Sequence, residues 1–187
     1  MDNELVLSSA KDFYNPSRGY LSFDEMIDEL LKYIQEKPDV FYDVVVGCDS
    51  SSSDSPEFPL AVVVLRTGAG GRFFLKKISY NERNAQYTGH PAHYKNKKFY
   101  HWKTRILEEV FLSCELALDL REVLQDKIAL LETIPNYQFR YIHADVGEVG
   151  QTKEMVKEVT GIIRGNGFEI KLKPKAFAAS SVADRYT

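Results

Sequence analysis

Two apolar runs in this chain end in an aspartate: Val44-Val45-Val46-Gly47-Cys48-Asp49 and Phe139-Arg140-Tyr141-Ile142-His143-Ala144-Asp145. Short runs rich in β-branched and aromatic residues predict strands. An ionised carboxylate at the mouth of a buried strand is costly unless something cationic or hydrogen-bonding meets it. Neighbouring strands lie ~4.8 Å apart, so if these two are adjacent, both carboxylates can grip the same divalent cations. That condition constrains the fold and the chemistry together.

Composition sets the outer limits. With 187 residues, 44% of them hydrophobic and 12% aromatic, the chain suits one domain with a substantial core and is too apolar for disorder. No apolar stretch approaches the ~20 residues that cross a bilayer. The start, Met1-Asp2-Asn3-Glu4, is acidic where a secretory signal is basic, so no membrane role and a cytoplasmic location are expected. Cys48 and Cys114 fall inside a predicted strand and a predicted helix and read as buried thiols. A net charge of −3 excludes a bulk coater of nucleic acid. Basic residues are nonetheless grouped, with Lys95, Lys97, Lys98, Lys103 and Arg105 in one stretch and Lys171, Lys173 and Lys175 alternating in another. Local patches of this kind suffice for an enzyme that approaches phosphates.

The order of elements follows from periodicity and punctuation. Ser22-Phe23-Asp24-Glu25 is a capping-box sequence opening an N-terminal helix over about 22–36, which Lys37-Pro38 stops. Strands are predicted at 43–48, 59–66 and 72–80, the last two joined through Gly68-Ala69-Gly70-Gly71. A polar, aromatic and basic excursion runs from Asn81 to about His101. A long helix over about 100–124 and a short one over 126–132 precede the strand that ends at Asp145. A helix over about 151–164, closed by Gly165-Asn166-Gly167, leads to a last strand at 168–173 and a terminal segment. A three-strand antiparallel meander plus two parallel strands makes a five-stranded mixed α/β sheet with helices on both faces, one domain over 1–187.

This element order resembles the ribonuclease H-like fold. Members of that superfamily place metal-binding acids on the first strand, on the helix after the third strand, at the end of the fourth strand and near the last helix. The matching positions here are Asp49, Glu108 or Glu109, Asp145 and Asp184. Helical phase separates the two glutamates: Thr104, Arg105, Glu108, Glu115 and Asp119 share a polar sector, while Glu109 lies outside it beside Ile106, Leu112 and Leu116. A carboxylate on an apolar flank needs an internal partner, whereas Glu108 can be solvated; Glu109 is preferred and Glu108 is the reserve. The motifs Gly47-Cys48-Asp49-Ser50, His143-Ala144-Asp145-Val146-Gly147 and Lys173-Pro174-Lys175-Ala176-Phe177-Ala178-Ala179-Ser180-Ser181-Val182-Ala183-Asp184-Arg185 resemble those of the YkuK-type family, bacterial proteins grouped with ribonuclease H-like nucleases.

The resemblance implies a nuclease that hydrolyses phosphodiester bonds in RNA, DNA or a hybrid. Asp49, Glu109, Asp145 and Asp184 would hold two Mg²⁺ or Mn²⁺ ions, one lowering the pKa of an attacking water and the other stabilising the leaving oxygen. Ser50 and Ser180 are candidates to orient ligands or phosphate oxygens. His143, on the same side of its strand as Asp145, is a candidate for proton transfer or support of a ligand. Lys97 and Lys98, within a basic-aromatic run, are candidates for phosphate contact. His90, His93 and His101 read as surface histidines. Two rival readings stand beside the nuclease: a non-catalytic nucleic-acid-binding module of the same fold, and a structural protein in which the acids stabilise loops.

Overall fold

The computed structural model describes residues 11–80 and 97–187. The excursion expected from Asn81 therefore lies, up to residue 96, outside the described residues, as do His90, His93 and Lys95. The described chain opens with a hairpin of β1 (Phe13–Asn15) and β2 (Gly19–Leu21). Its turn is held by Asn15, whose Oδ1 accepts from the amides of Ser17 and Arg18. Helix α1 (Phe23–Gln35) then starts on the expected capping box. The Glu25 amide donates to Ser22 Oγ at 3.2 Å and the Ser22 amide donates to the Glu25 carboxylate at 2.8 Å.

Strands β3 (Tyr42–Cys48), β4 (Glu57–Arg66) and β5 (Gly71–Ser79) form the antiparallel meander. Helix α2 (Trp102–Ala129) leads to β6 (Tyr137–Ala144), and α3 (Val156–Gly165) leads to β7 (Glu169–Lys171). β6 pairs in parallel with β3, and β7 in parallel with β6. The two strands that precede the aspartates are thus neighbours, with Cys48 opposite Ala144.

Several expectations are corrected. Among the described residues the sheet has seven strands, in the order β2-β1-β5-β4-β3-β6-β7, because the opening hairpin joins the free edge of β5. Three-residue strands are too short to carry a readable alternation. Helix α2 is one uninterrupted element rather than a long helix and a short one, since no breaker separates Leu124 from Asp126. The third helix begins with a 3₁₀ turn at Gln151–Met155, and β7 is shorter than the run 168–173.

Nor do long helices cover both faces. Val44, Val46 and Cys48 pack with residues of all three α-helices, among them Leu30, Leu120 and Val159. The other face, presenting Val45, Ala61, Val63 and Leu75, is covered by the terminal segment through Ala178 and Ala183. Alternate residues of one strand serve the two layers, as the period of two requires. The terminal segment is a π-helical turn, Ala178–Ala183, running into a 3₁₀ turn, Asp184–Tyr186. It lies directly on β3 at Gly47, where an added Cβ would stand 2.7 Å from the Ala179 amide nitrogen.

Candidate functional site

Asp49 and Asp145 each follow the last residue of a strand, at the same end of two parallel neighbours. Asp184 arrives from the face covered by the terminal segment, and Glu109 from the second turn of α2. Their charges are coupled in pairs: Asp49 feels Asp145 and Asp184, and Glu109 feels Asp49 and Asp145. Asp49 is raised from 3.8 to about 7, first by burial, then by the charge of Asp145, with Asp184 adding charge and lying within carboxyl–carboxylate hydrogen-bonding reach. Glu109 is raised from 4.5 to about 8, chiefly by burial, with Asp49 and Asp145 adding to it. The Ser50 hydroxyl, donating to Glu109 Oε1 at 2.5 Å, and the Arg105 charge oppose that rise.

The neighbouring glutamate is engaged elsewhere. Glu108 is buried rather than solvated, and its carboxylate accepts from the Tyr80 hydroxyl and pairs with the Lys97 ammonium. Lys97 is therefore drawn toward Glu108, and Lys98 donates to Ser55 Oγ at 2.5 Å. The Ser180 hydroxyl donates to the Ala176 carbonyl at 3.0 Å, one turn back.

His143 is buried on the face that receives the terminal segment. Its Nδ1 accepts from the Ala178 amide at 3.1 Å and its ring meets Phe177 edge-on at 4.5 Å. Burial, with help from the Lys171 charge, lowers it to about 3, so the imidazole is neutral at ordinary pH. Through its bond with the Ala178 amide it pins the segment that brings Asp184 in, a supporting position in keeping with the second of its two expected roles.

Two contributors were not among the expected site residues. Lys173 donates to Asp145 Oδ2 at 2.7 Å. Gly47 supplies the close approach described above. The signal for Lys173 was present as register, since β7 pairs Lys171 with His143 and two more residues reach Asp145. The signal for Gly47 was a glycine in a strand, which marks close backbone approach.

The donor set fits a hard divalent cation in its chemistry: the donors are carboxylate oxygens. Asp145 Oδ1 is moreover buried with no hydrogen-bond partner. In position the fit is incomplete, because among the described residues no three His, Cys, Asp or Glu side chains stand ready to hold one ion together. The electrostatic coupling and this positional test measure different things. The acids are near enough to repel, while Asp145 is tied to Lys173 and Glu109 to Ser50. The crevice between α2 and the strand ends, lined by Cys48, Glu109, Ser113 and Asp145, is too narrow for a water molecule. A roomier hollow of about 240 Å³, beside Arg121 and Tyr137, lies at the opposite end of β6 and shares none of these acids.

Residues 25–187 match the family described as Ribonuclease H-like. The chain is also similar to the protein named "Uncharacterized protein YkuK" of Bacillus subtilis (strain 168), with 29% identity over 181 residues, 94% of this chain and 96% of that one. No solved structure matches the chain.

Proposed function

The chain belongs to the ribonuclease H-like family, and from that premise we propose that it is a divalent-metal-dependent phosphodiesterase acting on RNA, DNA or a hybrid. We read the whole chain as one domain working in the cytoplasm. The two buried, unpaired thiols Cys48 and Cys114 agree with a reducing compartment. Among the described residues no helix is long and apolar enough to cross a membrane.

The observation that carries the proposal is the burial of acids beside one another at the shared end of β3 and β6: burial first, and the charge of neighbouring carboxylates second, raises Asp49 to about 7 and Glu109 to about 8. The cost of burying carboxylates together at a strand mouth is what a bound cation relieves. Asp49, Glu109, Asp145 and Asp184 would hold Mg²⁺ or Mn²⁺, two ions in the full arrangement. The chemistry such ions supply when bound is charge neutralisation on a phosphoryl oxygen and a water acidic enough to attack at neutral pH. The protein's own residues set the stage for it. Ser50 fixes the Glu109 carboxylate, and Asp49 and Glu109, both raised by burial, would have to be deprotonated to act as ligands. His143 and Gly47 hold the terminal segment, and with it Asp184, against the sheet.

A second reading, a nucleic-acid-binding module without cleavage, is favoured by one observation: among the described residues no three acids stand in place to hold an ion. One experiment separates the two. Labelled single strands, duplexes and hybrids are incubated with Mn²⁺ or chelator, with the wild type, Asp49→Asn and Asp145→Asn. The nuclease reading expects Mn²⁺-dependent cleavage lost in both variants. Cleavage that survives both substitutions overturns the site, and salt-sensitive binding without cleavage selects the second reading.

A further inference from the structure

The ion pair between Lys173 and Asp145 joins a candidate ligand to a cation supplied by the chain itself. The pairing is built into the sheet. β7 runs beside β6 with His143 opposite Lys171, and the ladder continues past the strand, since the Lys173 amide donates to the Val146 carbonyl at 2.9 Å. Two residues beyond His143 and Lys171, register brings Asp145 and Lys173 together, and the ammonium reaches Asp145 Oδ2 at 2.7 Å.

The two partners are unequally exposed. The Lys173 side chain is 47% exposed and that of Asp145 18%. The lysine can withdraw into water while keeping its charge hydrated, whereas Asp145 stays beside Asp49 and Glu109, both of which feel its charge. Its second oxygen, Oδ1, is buried without a hydrogen-bond partner. An ammonium supplies one positive charge to a cluster in which Asp145 acts on both Asp49 and Glu109; a divalent ion supplies two and accepts several oxygens at once.

We infer that Lys173 is a resident counter-ion: it neutralises Asp145 in the metal-free protein and competes with a divalent ion for that carboxylate. The inference rests on the metal-binding reading of the acidic cluster. Lys173 is then a positioning residue, setting the metal concentration at which the site closes. An ion pair of this exposure contributes up to ~1 kcal/mol, so its removal strengthens metal binding by about 2- to 5-fold.

Mn²⁺ binding is measured by calorimetry and by thermal shift on the full chain for the wild type, Lys173→Met, Lys175→Met and Lys173→Met in an Asp145→Asn background. Lys173→Met keeps most of the aliphatic stem and removes the charge. Tighter Mn²⁺ binding by Lys173→Met, with Lys175→Met like the wild type and no gain in the Asp145→Asn background, is the expected result. Binding by Lys173→Met with no detectable binding by the wild type gives the same answer more strongly. Equal or weaker binding by Lys173→Met overturns the inference and leaves the metal site standing, as does an equal gain in Lys175→Met, which would report bulk charge. No binding by any variant overturns both this inference and the reading beneath it.

Discussion

Because burial and the neighbouring acids raise Asp49 to about 7 and Glu109 to about 8, the folded chain keeps two protons that the unfolded chain, with ordinary values of 3.8 and 4.5, has already released. Over the window from those ordinary values to about 8 the native state binds more protons, so the contribution of these groups to stability falls as pH rises. The metal-free protein is expected to melt at progressively lower temperature from pH 5 to pH 8, with a shallower decline in Asp49→Asn. Identical slopes in scanning calorimetry would remove the basis for the crowded cluster. Divalent ions compete with the same protons, so their stabilising effect should grow over that range. At this scale the sequence was legible where local geometry decides. Helical phase set Glu109 apart from a Glu108 expected to be solvated; the structure buries both and turns them toward different partners. What helical phase could not supply was the partner of Glu108, because Tyr80 is 28 residues away in sequence and the Tyr80–Glu108 hydrogen bond exists only once the sheet has formed.

The terminal segment reaches Asp49 because β3 has no side chain at Gly47. An alanine there would press its methyl on the Ala178–Ala179 backbone, with a contact of 2.7 Å that no rotamer can relieve. Gly47→Ala is expected to cost about 1–3 kcal/mol, read from the urea midpoint, and to weaken Mn²⁺-induced stabilisation by displacing Asp184. Ser22→Ala makes the matched control. It removes the α1 cap, far from the acids, costing about 1 kcal/mol, and should leave the metal effect intact. Equal loss of the metal effect in both variants would mean that general destabilisation, not the seat of the terminal segment, is responsible. Elements were readable in proportion to length. The meander, α1 and β6 lie near their expected places, since their patterns run for many residues, while β7 keeps only three residues of its expected run. The β1–β2 hairpin escaped notice because each strand has three residues and is held by an Asn15 turn and by β5. The one-sided placement of the helices was equally hidden, because periodicity marks an apolar stripe without saying which layer receives it.

Across the whole molecule, a net charge of −3 gives little overall attraction to a polynucleotide backbone, and among the described residues Lys97, Lys171 and Lys173 are held in ion pairs with Glu108, Asp43 and Asp145. Binding to nucleic acid should therefore depend only shallowly on salt, with log K falling by about 1 to 3 per decade of salt. A much steeper slope in a fluorescence-anisotropy titration would point to a larger basic surface than the described residues present. The strand order carries a different consequence. The sheet keeps its longest strands inside and ends in β2 on one side and β7 on the other, each of three residues. The outermost strands thus offer a neighbouring molecule only three residues each, a poor template for continued strand addition. The same ordering puts β4 at the centre and keeps β3 and β6, the strands that lead to Asp49 and Asp145, inside the two flanks.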